Sequence, residues 1–106
     1  MPEATEKETW GDPTFRVRDR IFAMLRRDDG RVSVWTKAPE GAQEVLIGAA
    51  PERFFRPPYV GPKGWIGIRL DTGPNRDGGP DWDEVGGHVR RSYGLVAPRK
   101  LAKLME

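Results

Sequence analysis

Strand periodicity fills the first third of the chain. Residues 14–17, 21–25 and 32–36 are short alternating or apolar runs rich in β-branched and aromatic side chains, the pattern of half-buried β-strands. Their connectors are turn-like: "RDR" is short enough for a tight hairpin, and "RDDGR" sets Asp29 and Gly30 where a positive φ is usually needed. Three antiparallel strands are predicted. Because side chains alternate along a strand, Phe15 and Val17 share one face and Arg16 and Arg18 the other, and with Arg20 the arginines read as a row.

After Pro39 the period changes. "EGAQEVLIGAA" is built from good helix formers with Val45, Leu46 and Ala49 at helical spacing, so a short helix is predicted to end near Pro51. "PERFFRPPYVGPKG" then holds Pro51, Pro57, Pro58 and Pro62, each without the amide hydrogen that a regular element would use, and reads as an ordered loop anchored by aromatics. "WIGIRL" returns to alternation, with Ile66, Ile68 and Leu70 on one face and Trp65, Gly67 and Arg69 on the other. Turn chemistry in "DTGPNRDGGP" leads to the clearest helix start, Asp81 as N-cap with Glu84 three residues on. Behind it Trp82, Val85, Val89 and Tyr93 form one stripe, with Arg90 and Arg91 turned away. Gly86 and Gly87 inside this helix imply a close approach to the sheet. "APRKLAKLM" restarts a short basic helix with Pro98 at or near its first position.

Composition narrows the class. A chain of 106 residues with 37% hydrophobic content fits one domain over 1–106. The absence of cysteine excludes disulfides, thiolate-held metals and a thiol nucleophile. No apolar run approaches the roughly 20 residues that span a bilayer, and "MPEATEKETW" has neither the basic start nor the apolar stretch of a signal peptide. A cytoplasmic protein without membrane contact is the expectation. The net charge is only +2, but it is unevenly spread. Glu3, Glu6, Glu8 and Asp12 face only Lys7 in the first fourteen residues, and residues 1–9 read as a flexible acidic leader. Residues 15–37 carry seven bases against three acids. A locally basic hairpin attracts phosphates, although the whole chain lacks the strongly basic profile of an obligate nucleic-acid binder.

"WGDPTFRVRDRIFAML", "PPYVGPKGWIGIRL", "DWDEV" and "RSYGLVAPRKL" resemble, in order and spacing, the MmcQ/YjbR family of small bacterial proteins, over about residues 10–104. The most specific pieces are P-Y-V-G-x-x-G-W at 58–65 and S-Y-x-L-V-A-P-x-K-L at 92–101. The resemblance implies an α+β fold like that of frataxin/CyaY: a twisted antiparallel sheet with helices packed on one face. It also implies a double-wing arrangement of β-hairpins, from which DNA binding follows as an expectation. Family members usually begin with a helix that precedes W-G-x-P-x-F, and Met1-Pro2 stands where that helix would be finishing. An exposed apolar strip is therefore expected, covered by a homodimer contact or a partner chain.

Two readings of function follow. In the first, Arg16, Arg18, Arg20, Arg27, Arg31 and Lys63 meet the phosphates of DNA, with Tyr59 and Trp65 as stacking groups. A solvated strand face that discourages edge pairing accounts for the same arginines, and packing accounts for the tryptophan. In the second, an aromatic pocket of Phe54, Phe55, Tyr59, Trp65 and Trp82 takes a protein or small ligand without nucleic acid. No catalytic motif is present: His88 is the sole histidine and reads as a partly exposed helix side chain. Asp81, Asp83 and Glu84 are explained by the helix N-terminus. The acidic ridge that iron binding would require is not visible, nor are the Rossmann half and residue set of a formyltransferase. No cofactor is implied.

Overall fold

The computed structural model describes every residue except Trp10, Asp29, Pro74, Asp77 and Glu106. Among the described residues, six strands and three α-helices form an α+β fold: β1 (Ala4–Thr9), β2 (Asp12–Val17), β3 (Arg20–Asp28), β4 (Arg31–Lys37), α1 (Ala42–Ala49), β5 (Phe54–Phe55), β6 (Trp65–Arg69), α2 (Trp82–Val96) and α3 (Arg99–Ala102). One antiparallel sheet runs in the order β1-β2-β3-β4-β6-β5. The three predicted strands are present, β2 extended at its start and β3 and β4 at both ends.

The leader is not a free tail. Residues 4–9 pair along all of β2, from Ala4 opposite Val17 to Thr9 opposite Asp12, because Thr5, Lys7 and Thr9 alternate with acids in a segment that an exposed edge strand tolerates. Its start is held from below, where the Tyr93 hydroxyl donates to the Pro2 carbonyl. Tyr93 itself is fully buried and meets Phe22 edge to face at 5.3 Å.

Period two sorts the side chains between the faces. Val17, Phe22, Val34, Ile66 and Ile68 turn to the helices and pack with Val85, Tyr93 and Leu101. Met24, Trp35 and Trp65 form a smaller cluster on the other face, with Ile21, Phe55 and Val60 against it. A bulge between Phe15 and Arg16 shifts the β2–β3 register, so Phe22 and Ala23 both join the main core. The Ser92 hydroxyl donates to the Phe22 carbonyl at this bulge at 2.6 Å, and the Ser92 hydroxyl oxygen accepts from the Lys37 amide at 2.8 Å. One buried serine thus ties α2 to β3 and β4.

Asp81 caps α2 as predicted, accepting from the amides of Asp83 and Glu84. Other details of this helix differ from the sequence reading. Trp82 is exposed rather than part of the packed stripe, because it occupies the first turn beyond the sheet. A Cβ on Gly87 would meet nothing within 4 Å and one on Gly86 only the tip of Arg90 at 3.8 Å, so neither glycine marks a close approach to the sheet. Close packing falls instead at Gly67, where a Cβ would lie 2.3 Å from the Phe55 ring. Gly67→Ala is expected to expel that ring and destabilise the fold by about 1–3 kcal/mol. An unchanged urea midpoint would refute this.

The predicted Asp29–Gly30 turn is seen at Gly30, whose φ is +77; Asp29 lies outside the described residues, as do Trp10 of the W-G-x-P-x-F stretch and Pro74 and Asp77 of the long turn. Among the described residues, no helix is long and apolar enough to cross a membrane. Large apolar side chains exposed on the surface are dispersed: Val45 on α1, Tyr59 in a loop, Trp82 and Leu95 at the two ends of α2, and Met1 and Leu104 near the chain ends.

Candidate nucleic-acid interface

The arginine row does not form. Arg18 and Asp19 are the two central residues of the β2–β3 hairpin, with φ of +50 and +64, the signature of a type I′ turn. Alternation stops at such a turn, and Arg20 lies opposite Val17 and shares its face. Of the three, only Arg16 therefore remains on the open face, where it donates to Thr14, Thr9 and Asp19. Arg18 stands at the hairpin tip and grips Glu3 through two bonds of 2.7 and 3.0 Å. Arg18, which donates to the Glu3 carboxylate, holds that group below its ordinary pKa, with the charge of Lys100 acting in the same direction.

Arg20 lines a groove of about 470 Å³ with Arg18, Leu95, Val96, Ala97 and Pro98, between the hairpin tip and the end of α2. Among the described residues it has no ion-pair partner. Lys63 is equally free, in a 3₁₀ turn (Gly61–Lys63) within the loop that joins β5 to β6. A cavity of about 320 Å³ separates this loop from α1, with Arg56 and Lys63 on one side and Glu40 and Glu44 on the other.

The two connections share one end of the sheet. Lys37 at the close of β4 pairs with Trp65 at the start of β6, and β5 runs antiparallel toward that end. The same end of β3 begins with Arg20, because Ala23 pairs with Thr36. Between the β2–β3 tip and the β5–β6 loop lie three interstrand spacings, roughly 14 Å at about 4.8 Å each. Arg27 and Arg31 belong to the opposite end, beside the β3–β4 turn. There they have acidic partners: Arg27 sits 3.6 Å from Asp12, which it shares with Arg26 at 3.7 Å, and Arg31 holds Asp71 through bonds of 2.8 and 2.9 Å. Arg31 pushes Asp71 below the usual carboxylate pKa.

Of the two stacking candidates, Trp65 is buried on the Met24–Trp35 cluster and unavailable, while Tyr59 is 89% exposed. The five-member aromatic pocket is not assembled, since Phe54 faces the helices and Phe55 and Trp65 face the other way, with Trp82 on α2. Arg26 and Arg69 were not singled out from the sequence as site residues. They stack over Trp35 at 4.9 Å and Phe55 at 4.8 Å on the open face, a pairing visible in the alternation of β6 but not across strands.

His88 is buried rather than partly exposed. Its ring meets Phe54 edge to face at 5.5 Å, and Nε2 is 3.9 Å from Glu84, which is itself bound by Arg53 at 2.9 Å. Burial, joined by the charges of Arg91 and Arg53 and opposed by Glu84, lowers the His88 pKa below its ordinary 6.5. The unfolded chain therefore takes up the proton first, so His88 lends stability above about pH 6.5 that is lost as pH falls through the folded value. The urea midpoint is expected to drop between about pH 7.5 and 5.5, and His88→Gln to flatten that drop. Equal slopes for both proteins would refute the assignment.

A six-stranded antiparallel sheet with its helices on one face, whose β2–β3 and β5–β6 connections project from one end, defines a small α+β domain. The chain belongs to the YjbR family, whose model matches residues 1–95. It is similar in fold to the crystal structure of Deinococcus radiodurans protein DR2400, a DUF419 protein, with a TM-score of 0.73 and 22% identity over 91% of this chain and 70% of that one. Among curated proteins, nothing matches.

Proposed function

We propose that this YjbR-family protein is a nucleic-acid-binding module, DNA in the first instance, that holds a phosphate backbone across the β2–β3 tip and the β5–β6 loop. The observation that carries this reading is the position of Arg20 and Lys63, two cations without acidic partners on two projections of the same sheet end. The two projections lie roughly 14 Å apart across the sheet, about the rise of four stacked nucleotides. Arg18 is a third contact at the tip, available when phosphate displaces Glu3 from its guanidinium. The role is binding and not catalysis, since His88 and Glu84 are committed to Phe54 and Arg53 beneath α2. Fluorescence anisotropy of labelled DNA, titrated at low and near-physiological salt, tests the reading: phosphate contacts give affinity that falls steeply with salt. Absence of binding at low salt would end it.

A further inference from the structure

The β5–β6 loop contains one residue that the fold does not use. Tyr59 is almost fully exposed, yet its φ is +66, in the left-handed region where a side chain is penalised. The Val60 amide donates to the Pro58 carbonyl across it at 2.7 Å. Tyr59 is thus the centre of a γ-turn with positive φ, the rarer and strained form.

Each neighbour has a structural use. Pro57 is fully buried. Val60 packs on the Met24–Trp35–Trp65 cluster, and its carbonyl accepts the amides of Lys63 and Trp65. Gly61 is buried where a Cβ would lie 2.7 Å from Arg56, and Gly64 has a φ of +86. Tyr59 alone carries strain with no packing in return. Asparagine would occupy the same turn more easily, so the ring points to a contact outside the fold.

The surroundings indicate what it meets. Pro57, Pro58 and Pro62 restrict the backbone around Tyr59, so an anchoring contact orders little main chain that is not already ordered. The charged side chains of its own loop are Arg56 and Lys63, which face Glu40 and Glu44 across a cavity. An aromatic face flanked by cations fits a strand of unpaired nucleotides, the ring stacking on a base and the cations meeting the phosphates beside it. An apolar pocket on a protein gives the cations no counterpart.

We propose that Tyr59 is a base-stacking anchor, and that the ligand is single-stranded nucleic acid. This rests on the phosphate-binding reading above and adds the class of ligand. The test measures anisotropy with labelled oligothymidylate and with a duplex, for the native protein, Tyr59→Phe and Tyr59→Asn, together with their melting temperatures. The single strand should bind more tightly than the duplex. Tyr59→Phe should keep that affinity, whereas Tyr59→Asn should lose about ten-fold or more, with a melting temperature unchanged or raised. Native-like oligothymidylate binding by Tyr59→Asn, a duplex preference, or a lowered melting temperature in Tyr59→Asn would overturn the proposal and leave phosphate binding standing on the native protein's salt dependence. Native protein that binds neither DNA at low salt would overturn both.

Discussion

Tyr93→Ala should lower the unfolding free energy by about 3–5 kcal/mol, the usual cost of removing a large aromatic from a closed core. Three attachments are lost together. The ring is fully buried within the cluster that joins α2 to the sheet, it packs edge to face on Phe22, and its hydroxyl ties Pro2, ahead of edge strand β1. A domain of this size holds about 5–15 kcal/mol in total, so much of its margin disappears. Tyr93→Phe separates the contributions: it keeps the ring and removes one hydrogen bond, for about 1 kcal/mol. Its effect should concentrate in β1, read as faster amide exchange of residues 4–9 than of β3. Urea unfolding followed by circular dichroism measures both variants, and a Tyr93→Ala midpoint close to the native one would show that the S-Y pair is not the bolt between helix and sheet.

Much of this architecture was legible in the chain because it rests on local signals. Period two placed β2, β3, β4 and β6, Asp81 capped α2, and the family resemblance supplied the arrangement of helices on one face. What was missed depends on contacts between distant residues. Residues 1–9 looked like a leader because acids alternate there with Thr and Lys, and only pairing with β2 makes them a strand. His88 looked exposed on helical spacing, yet Phe54, 34 positions earlier, closes over it.

The candidate site shows the same division. The six cations do not form one group. Counting alternation through residues 18 and 19 produced a row that the type I′ turn breaks. Charge pairing was hidden too, since Asp12 and Asp71, which pair with Arg27 and Arg31, are remote from them in sequence. Tyr59 was noticed as an aromatic in a proline loop; the positive φ that makes it unusual is a property of the folded turn.

Arg20→Ala/Lys63→Ala should weaken DNA binding by roughly 10- to 30-fold at low salt, from two phosphate contacts worth about 1 kcal/mol each. It should also reduce the slope of log affinity against log salt by about two. Arg27→Ala/Arg31→Ala is the necessary comparison, because it removes the same net charge and changes the distant field of the protein equally. Those two arginines already face Asp12 and Asp71 at the other end of the sheet, so their loss should leave affinity within about two- to three-fold and the slope nearly unchanged. A deficit shared equally by both double variants would mean that DNA reads only total charge, and the two-projection site would fall. A deficit confined to Arg27→Ala/Arg31→Ala would move the interface to the β3–β4 end, where phosphate would have to displace Asp71 from a bidentate partner. Only the first variant weakening alone places the backbone across the β2–β3 tip and the β5–β6 loop.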